Sequence, residues 1–491
     1  MKLSKSQFIK GHQCPKALWL YLNRKDLRPE VTPAQQKLFD QGHEVGELAQ
    51  KMFPGGVEIK AEYWENEKAV ELTEAAIRDG EDVLFEATAA ADDGLYARID
   101  ILKRVGDEWD LIEVKSSTGV KGYHLWDLAA QRYAFEGAGY KIRKTYLMCI
   151  NNEYVRAGDL EVDKLFKMED ITKETGDLQK AVKSLLPELL RVREERDEPE
   201  IGIGDHCKKP FDCDFKAYCW AHVPEYSVYN VTTGNKRADL LNQGILKIED
   251  IPEGAVTGKK IVDVECFKSG ETHVEKGELE SFLDTLVYPL YYLDYETIAP
   301  AVPIYDGTSP YKPTPFQFSC HIVRKPGADY EHVEFLHDGD GDPREAFIQQ
   351  LIKAVGSVGS IVAYNASYEK MINDRCREQF PMYAGELNAI NKRFVDLLVP
   401  FRSRHLYHRD MKGSASLKAV LPTFEPGLSY NDLEIGDGGT ASSKYEAICK
   451  GNITGAEKER TLEALREYCL VDTLGMVKLV EVIEKITGGL K

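Results

Sequence analysis

Between residues 82 and 115 the hydrophobic pattern leaves helical spacing and turns to alternation, and this switch most constrains the fold. Residues 82–90 read as a strand, and residues 98–115 read as a hairpin whose two alternating runs flank the turn signal Val105-Gly106-Asp107. The second run ends Ile112-Glu113-Val114-Lys115. Side chains two apart on a strand share a face, so Glu113 and Lys115 are expected to point together, with Asp100 of the neighbouring run beside them. A divalent metal with a water or phosphate satisfies such a group of two carboxylates and an ammonium. The other reading is an exposed edge hairpin with surface ion pairs.

The surrounding pattern predicts an α/β chain. Helices are expected over 3–22, 33–53 and 66–79, then the strand and hairpin, a helix over 124–137 and a strand over 144–152. That order suggests a mixed sheet. Residues 160–195 read as helical and heavily charged. Residues 223–286 read as a small, mainly helical connector, with a strand over 262–267 and no residues that carry chemistry. A second α/β domain is expected from 287 to the end. Its strands are 287–296, 316–324, 332–336 and 360–364, and its helices are 344–355, 367–380, 444–451 and 456–486.

Composition excludes several classes. The chain has 491 residues and a net charge of −18, which argues against a protein that coats nucleic acid. No apolar run is long enough for a membrane span, and the N-terminus lacks the apolar core of a secretion signal, so a cytoplasmic protein with no membrane role is expected. Two local basic patches stand out: residues 1–28 (Lys2, Lys5, Lys10, Lys16, Arg24, Lys25, Arg28), and residues 391–412 (Lys392, Arg393, Arg402, Arg404, Arg409, Lys412).

Of the ten cysteines, six sit in apolar settings suited to a core. Cys207, Cys213 and Cys219 follow one another with five intervening residues each time, which fits a shared metal better than packing. Cys14, in a similar Cys-Pro, aromatic-flanked context, is the fourth ligand this reading selects. Zinc sites use pairs at shorter gaps, so the spacing favours an iron–sulfur cluster.

The second domain carries its own acids. Asp294 and Glu296 end its first strand on one face, Glu369 follows the strand at 360–364, and Asp472 lies on a long helix one turn after Tyr468. Acids at a buried strand end are unfavourable without cations. Four acids meeting from two strand ends and two helices suit a two-metal phosphoryl-transfer site, with Tyr468 orienting the attacking water.

With these residues in view, residues 1–222 resemble the RecB-like branch of the PD-(D/E)XK nucleases. The nearest variety is the CRISPR-adaptation and DNA-helicase-associated enzymes that carry an iron–sulfur cluster. The resemblance implies Mg²⁺ or Mn²⁺ on Asp100, Glu113 and the carbonyl of Val114, Lys115 as the group that activates water, and Gln131 as the glutamine of the following helix. It also implies a [4Fe-4S] cluster on Cys14, Cys207, Cys213 and Cys219. Two departures are present: the branch usually has Cys-x-x-Cys in its terminal triplet, and the metal-binding His of an early helix falls at Gly46. His43, Glu44, Glu47 and Glu86 are the candidates for that ligand. Residues 287–486 resemble the RNase H-like DEDD 3′–5′ exonucleases that use a tyrosine. Asp294 and Glu296 match the first motif, Asn365 and Glu369 the second with Glu for the usual Asp, and Tyr468 and Asp472 the third. This resemblance implies Mg²⁺ or Mn²⁺ there too. The whole chain is similar to an uncharacterised bacterial family that joins the two modules.

The expected function is a metal-dependent nuclease with two sites. Its substrate is expected to be DNA, single-stranded or frayed, with RNA as an alternative and a helicase as a candidate partner. Arg402, Arg404 and Arg409 are the candidate phosphate contacts. Two other readings are a chain with one active site, whose C-terminal half is an RNA exonuclease or a degenerate nucleic-acid-binding module, and a non-enzymatic iron–sulfur scaffold.

Overall fold

The computed structural model describes residues 3–430 and 432–488 of the chain, which divides into two compact units. The first comprises Met1–His222 and Ala301–Tyr311, and the second Val223–Pro300 and Lys312–Lys491. Both are mixed α/β.

The sheet of the first unit has seven strands. Five form a ribbon in chain order: β1 (Val83–Ala90), β2 (Leu95–Val105), β3 (Glu108–Lys115), β4 (Ile142–Ile150) and β5 (Phe166–Asp170). Val57–Glu58 adds to β1, and Leu3–Ser4 pairs with the start of β2. The first three strands are an antiparallel meander, whereas β3 and β4 run parallel. A parallel neighbour needs a crossover, and the helix Gly122–Gly137 supplies it. That helix packs with Leu95 and Ala97 on one face, while the helix Pro33–Gln50 packs with Ile101 and Ile112 on the other.

Two expectations are corrected here. Residues 3–22 are two helices, Lys5–Gln13 and Pro15–Asn23. Proline disfavours helical backbone at the residue before it, and Cys14 is extended with φ −162° and ψ 116°. Within 160–195, Phe166–Asp170 is an edge strand, antiparallel to β4. Its charges are those expected of a protected sheet edge.

The second unit holds a five-stranded sheet of β6 (Leu290–Ile298), β7 (Thr314–Val323), β8 (Tyr330–Leu336), β9 (Ser360–Ala363) and β10 (Phe394–Asp396). Their spatial order is β8-β7-β6-β9-β10. The first three are antiparallel, and β9 and β10 follow β6 in parallel. The central strand β6 is buried on both faces. Tyr291, Leu293 and Tyr295 pack with Phe347 and Leu351 of the helix Arg344–Val355, whereas Leu290 and Tyr292 pack with Met476, Val480 and Ile483 of the 33-residue helix Gly455–Thr487. Alternation therefore turns Asp294 and Glu296 toward the long helix. The expected strand over 262–267 is instead part of a helix, Lys259–Ser269.

Candidate metal centres

The second unit brings its acids together most closely. Asp294, Glu296 and Asp472 have ligand oxygens that all lie within 4.8 Å of one another, the only such group of three or more possible ligands among the described residues. The site lies where β6 has an antiparallel neighbour on one side and a parallel one on the other. β9 ends beside β6, and the chain turns through Asn365, whose φ is 77°, into the helix Ser367–Gln379, which carries Glu369 in its first turn.

The carboxyls of this group crowd one another in a buried setting. Burial, then Asp472, Glu296 and Glu369, hold the Asp294 carboxyl well above the usual range. Burial and Asp472 do the same to Glu296. Glu369 is raised to about 8 by burial and then by Asp396, and its Oε2 is buried with no hydrogen-bond partner. Asp472 is raised only to about 6, because the Tyr430 hydroxyl, Lys418 and Tyr468 oppose its burial. Tyr430, Lys418 and Asp396 belong to no motif seen in the sequence. Asp396 accepts from the backbone N–H of Asn365 at 2.9 Å and so fixes the turn before Glu369.

In the first unit, Glu113 and Lys115 both face the helix Gly122–Gly137. Glu113 accepts from Lys115 Nζ at 2.5 Å through Oε1 and from Gln131 Nε2 at 2.7 Å through Oε2. Asp100 accepts from the Val114 backbone N–H at 2.7 Å. Burial, then Glu113, raises Asp100 to about 8. Sequence reasoning missed two members. Lys5 Nζ lies 2.9 Å from Asp127 and 3.4 Å from Glu113, and Lys115 Nζ lies 3.1 Å from Asp127. Two ammoniums and two carboxylates thus alternate. Asp127 had a signal, since it precedes Gln131 by four residues and shares its helix face; Lys5, distant in the chain, had none. Asp100, Val114 and Lys115 open onto a cleft of about 1050 Å³ that also receives His43, Glu47 and Glu86, while Glu44 is not among its lining residues.

Cys14, Cys207, Cys213 and Cys219 line one small pocket. No three of their sulfurs come within 4.8 Å of one another. Cys14 ends the helix Lys5–Gln13 that begins with Lys5, and backbone groups of Ala17 and Lys16 hydrogen-bond its sulfur.

The basic patches are largely paired internally. Arg404 is the clear correction. It is buried, donates through Nε to Asp263 at 2.6 Å, and donates further to the carbonyls of Phe401 and Gly413, so it is not available to hold a phosphate. Arg409 stacks on Phe267, with the guanidinium 4.9 Å from the ring centroid. Arg402 is exposed. Arg393 donates to four backbone carbonyls. In the first patch Lys16 pairs with Glu198, Lys10 with Asp214 and Arg24 with Asp26, while Lys2 lies outside the described residues. Arg404→Ala should lower stability by about 3 kcal/mol, because it strips a buried carboxylate of one partner. Arg402→Ala should change it by less than about 0.5 kcal/mol. Thermal melts of the two variants check both expectations.

Among the described residues no helix is long and apolar enough to cross a membrane. A family described as a domain of unknown function (DUF2779) matches residues 291–416, a stretch that includes Asp294, Glu296 and Glu369 but ends before Tyr468 and Asp472. An uncharacterized protein of Ureaplasma parvum is 26% identical over 223 residues, covering 41% of this chain. The match spans 32% of that relative's length. The chain is thus similar, over part of its length, to proteins whose own descriptions assign no activity.

Proposed function

We propose that the chain is a metal-dependent nuclease with two active sites, one in each unit. The observation that carries the reading is the convergence of Asp294, Glu296 and Asp472, with the unpartnered Oε2 of Glu369 close enough to raise the Asp294 carboxyl. Buried acids that crowd one another persist when cations are their partners. The sheet order of the second unit, with acids on the first strand and the last long helix, supports an RNase H-like exonuclease. The strand–hairpin–helix–strand order around Asp100, Glu113 and Lys115 supports a PD-(D/E)XK nuclease.

Mg²⁺ or Mn²⁺, when bound, lowers the pKa of water and neutralises charge on the phosphoryl group. Asp294, Glu296, Asp472 and Glu369 would hold it in the second unit, and Asp100, Glu113 and the Val114 carbonyl in the first. Tyr468, beside Asp472, orients the attacking water. Gln131 fixes one oxygen of Glu113, so the other faces Lys115, whose ammonium donates to a phosphate oxygen or to the water. Asp127, itself paired with Lys5, holds Lys115 in place.

The four cysteine thiols fit a [4Fe-4S] cluster, which would tie the helix bearing Lys5 to the segment at 207–219. Cys14→Ser should remove iron and the visible absorption of the purified protein. Iron analysis and an optical spectrum check this, and zinc in place of iron in the wild type would refute the cluster.

The nuclease reading is tested with single- and double-stranded DNA and RNA labelled at either end, with Mg²⁺, with Mn²⁺ and with chelator. Metal-dependent cleavage of single-stranded DNA is expected; no cleavage of any substrate overturns the reading. The longer Glu369, outside the close group of three acids, favours a second reading in which only the first site cuts. In that case 3′ trimming is absent from the products.

A further inference from the structure

An exposed aromatic pair, Tyr63 and Trp64, sits in a turn whose flanking residues line the first-unit cleft. Tyr63 and Trp64 are 78% and 63% exposed, although rings of that size normally bury most of their surface. They occupy the middle of a tight turn closed by Glu65 N–H to the Glu62 carbonyl at 3.0 Å, with the two rings edge-to-face and centroids 4.7 Å apart. Residues on both sides of them, Ala61, Glu62 and Glu65, line the cleft that contains Asp100 and Lys115. The turn is also tied to the metal-site strand. Arg98, two residues before Asp100 on β2, donates to the carbonyls of Ala61 and Glu62 at 3.3 and 3.4 Å, and Asn66 donates to the Tyr96 hydroxyl at 2.9 Å.

The helix Pro33–Gln50 borders the same cleft. Gly42, His43, Gly46 and Glu47 line the cleft, and nothing lies within 4 Å of where a Cβ would sit on either glycine. One turn earlier on those same helix faces stand Leu38 and Phe39, 62% and 52% exposed. The cleft itself carries six carboxylates, between Glu47 and Asp100, against four cations. Its charge therefore does not attract a polyanion, and two of the four cations, Lys68 and Arg98, already face Glu65 and Glu86.

We propose that Tyr63 and Trp64 form a stacking platform for unpaired nucleobases, which makes the first site selective for single-stranded nucleic acid. The inference rests on the nuclease reading of that site and assigns the residues that would select unpaired strands there. Every base offers a flat face, whereas a duplex hides its faces in the stack, so exposed rings on a turn that borders the cleft select unpaired strands without reading sequence. Affinity drawn from stacking in a cleft of net negative charge also depends weakly on salt, unlike affinity drawn from phosphate contacts.

The test is binding in chelator, where no cleavage occurs. The probes are an oligodeoxythymidine, an abasic oligomer of equal length, and a duplex. The wild type should bind oligodeoxythymidine with quenching of tryptophan fluorescence, and should bind the abasic oligomer and the duplex about tenfold or more weakly. Trp64→Phe should keep the affinity and lose the quench. The Tyr63→Ala/Trp64→Ala double variant should lose about tenfold or more in affinity. Equal affinity for the abasic oligomer, a preference for duplex, no binding of oligodeoxythymidine, or unchanged affinity in the double variant overturns the platform. A protein that binds through Trp64 but cleaves nothing with metal refutes the nuclease reading alone. One that cleaves but whose double variant binds normally refutes the platform alone.

Discussion

Asp294→Asn should abolish metal-dependent cleavage at the second site and at the same time make the metal-free protein more stable. The loss follows from removing a ligand whose metal supplies several kcal/mol of transition-state stabilisation, roughly a thousandfold in rate. The gain follows from the crowding of acids. Asp294 is raised by burial, Asp472 and Glu296, and Glu296 by burial and Asp472, while Asp472 is raised to about 6 and Glu369 to about 8. Groups raised in this way keep their protons in the folded chain after the unfolded chain has lost them. The folded state then binds more protons, so stability of the metal-free protein falls as pH rises from about 4 toward 8. An amide at 294 removes one charge from the cluster and flattens that fall, raising the midpoint of a melt at pH 8 by a few degrees. At pH 5, where these acids are largely protonated, the variant and wild type should melt together. Mn²⁺ should stabilise the wild type more at pH 8 than at pH 5. Melts at both pH values, with and without Mn²⁺, check all of this.

Glu113→Gln should also abolish cleavage at its own site, by a comparable factor, but with the opposite effect on stability. Glu113 sits between two ammoniums, Lys115 at 2.5 Å and Lys5 at 3.4 Å, and both also face Asp127. An amide leaves two partly buried cations sharing one carboxylate, which should destabilise the first unit by about 2–3 kcal/mol. The opposite stability signs separate a cluster of like charges from a balanced ion-pair network. Urea unfolding of the purified variant measures the second. End-labelled single-stranded DNA should lose only 3′ trimming in Asp294→Asn, only the other cleavage in Glu113→Gln, and all cleavage in the double variant.

What the sequence made legible was local. Alternation along β6 was enough to turn Asp294 and Glu296 to one face, and helical spacing joined Tyr468 to Asp472. The even gaps singled out Cys207, Cys213 and Cys219, the Cys-Pro context added Cys14, and the four line one pocket. Partners remote in the chain left no such trace. Lys5 meets Asp127 and Glu113 because it begins a short helix that packs on the same face as the helix Gly122–Gly137, and no pattern around residue 5 announces that pairing. Arg404 lay in a run of positive charge and so read as a phosphate contact, yet its carboxylate partner is 141 residues away. The same pair explains the misread segment at 262–267. Its residues alternate as a strand would, but they fold as a helix that buries Asp263 against Arg404. Tertiary pairing overrode a short local signal there.

The central claim is that these buried acids are metal ligands. The most direct measurement is anomalous scattering from a crystal soaked in Mn²⁺. Anomalous density within bonding distance of the Asp294, Glu296 and Asp472 carboxylates, and of those of Asp100 and Glu113, is the predicted result. A soaked crystal with no manganese at Asp294 and Glu296 would contradict the account.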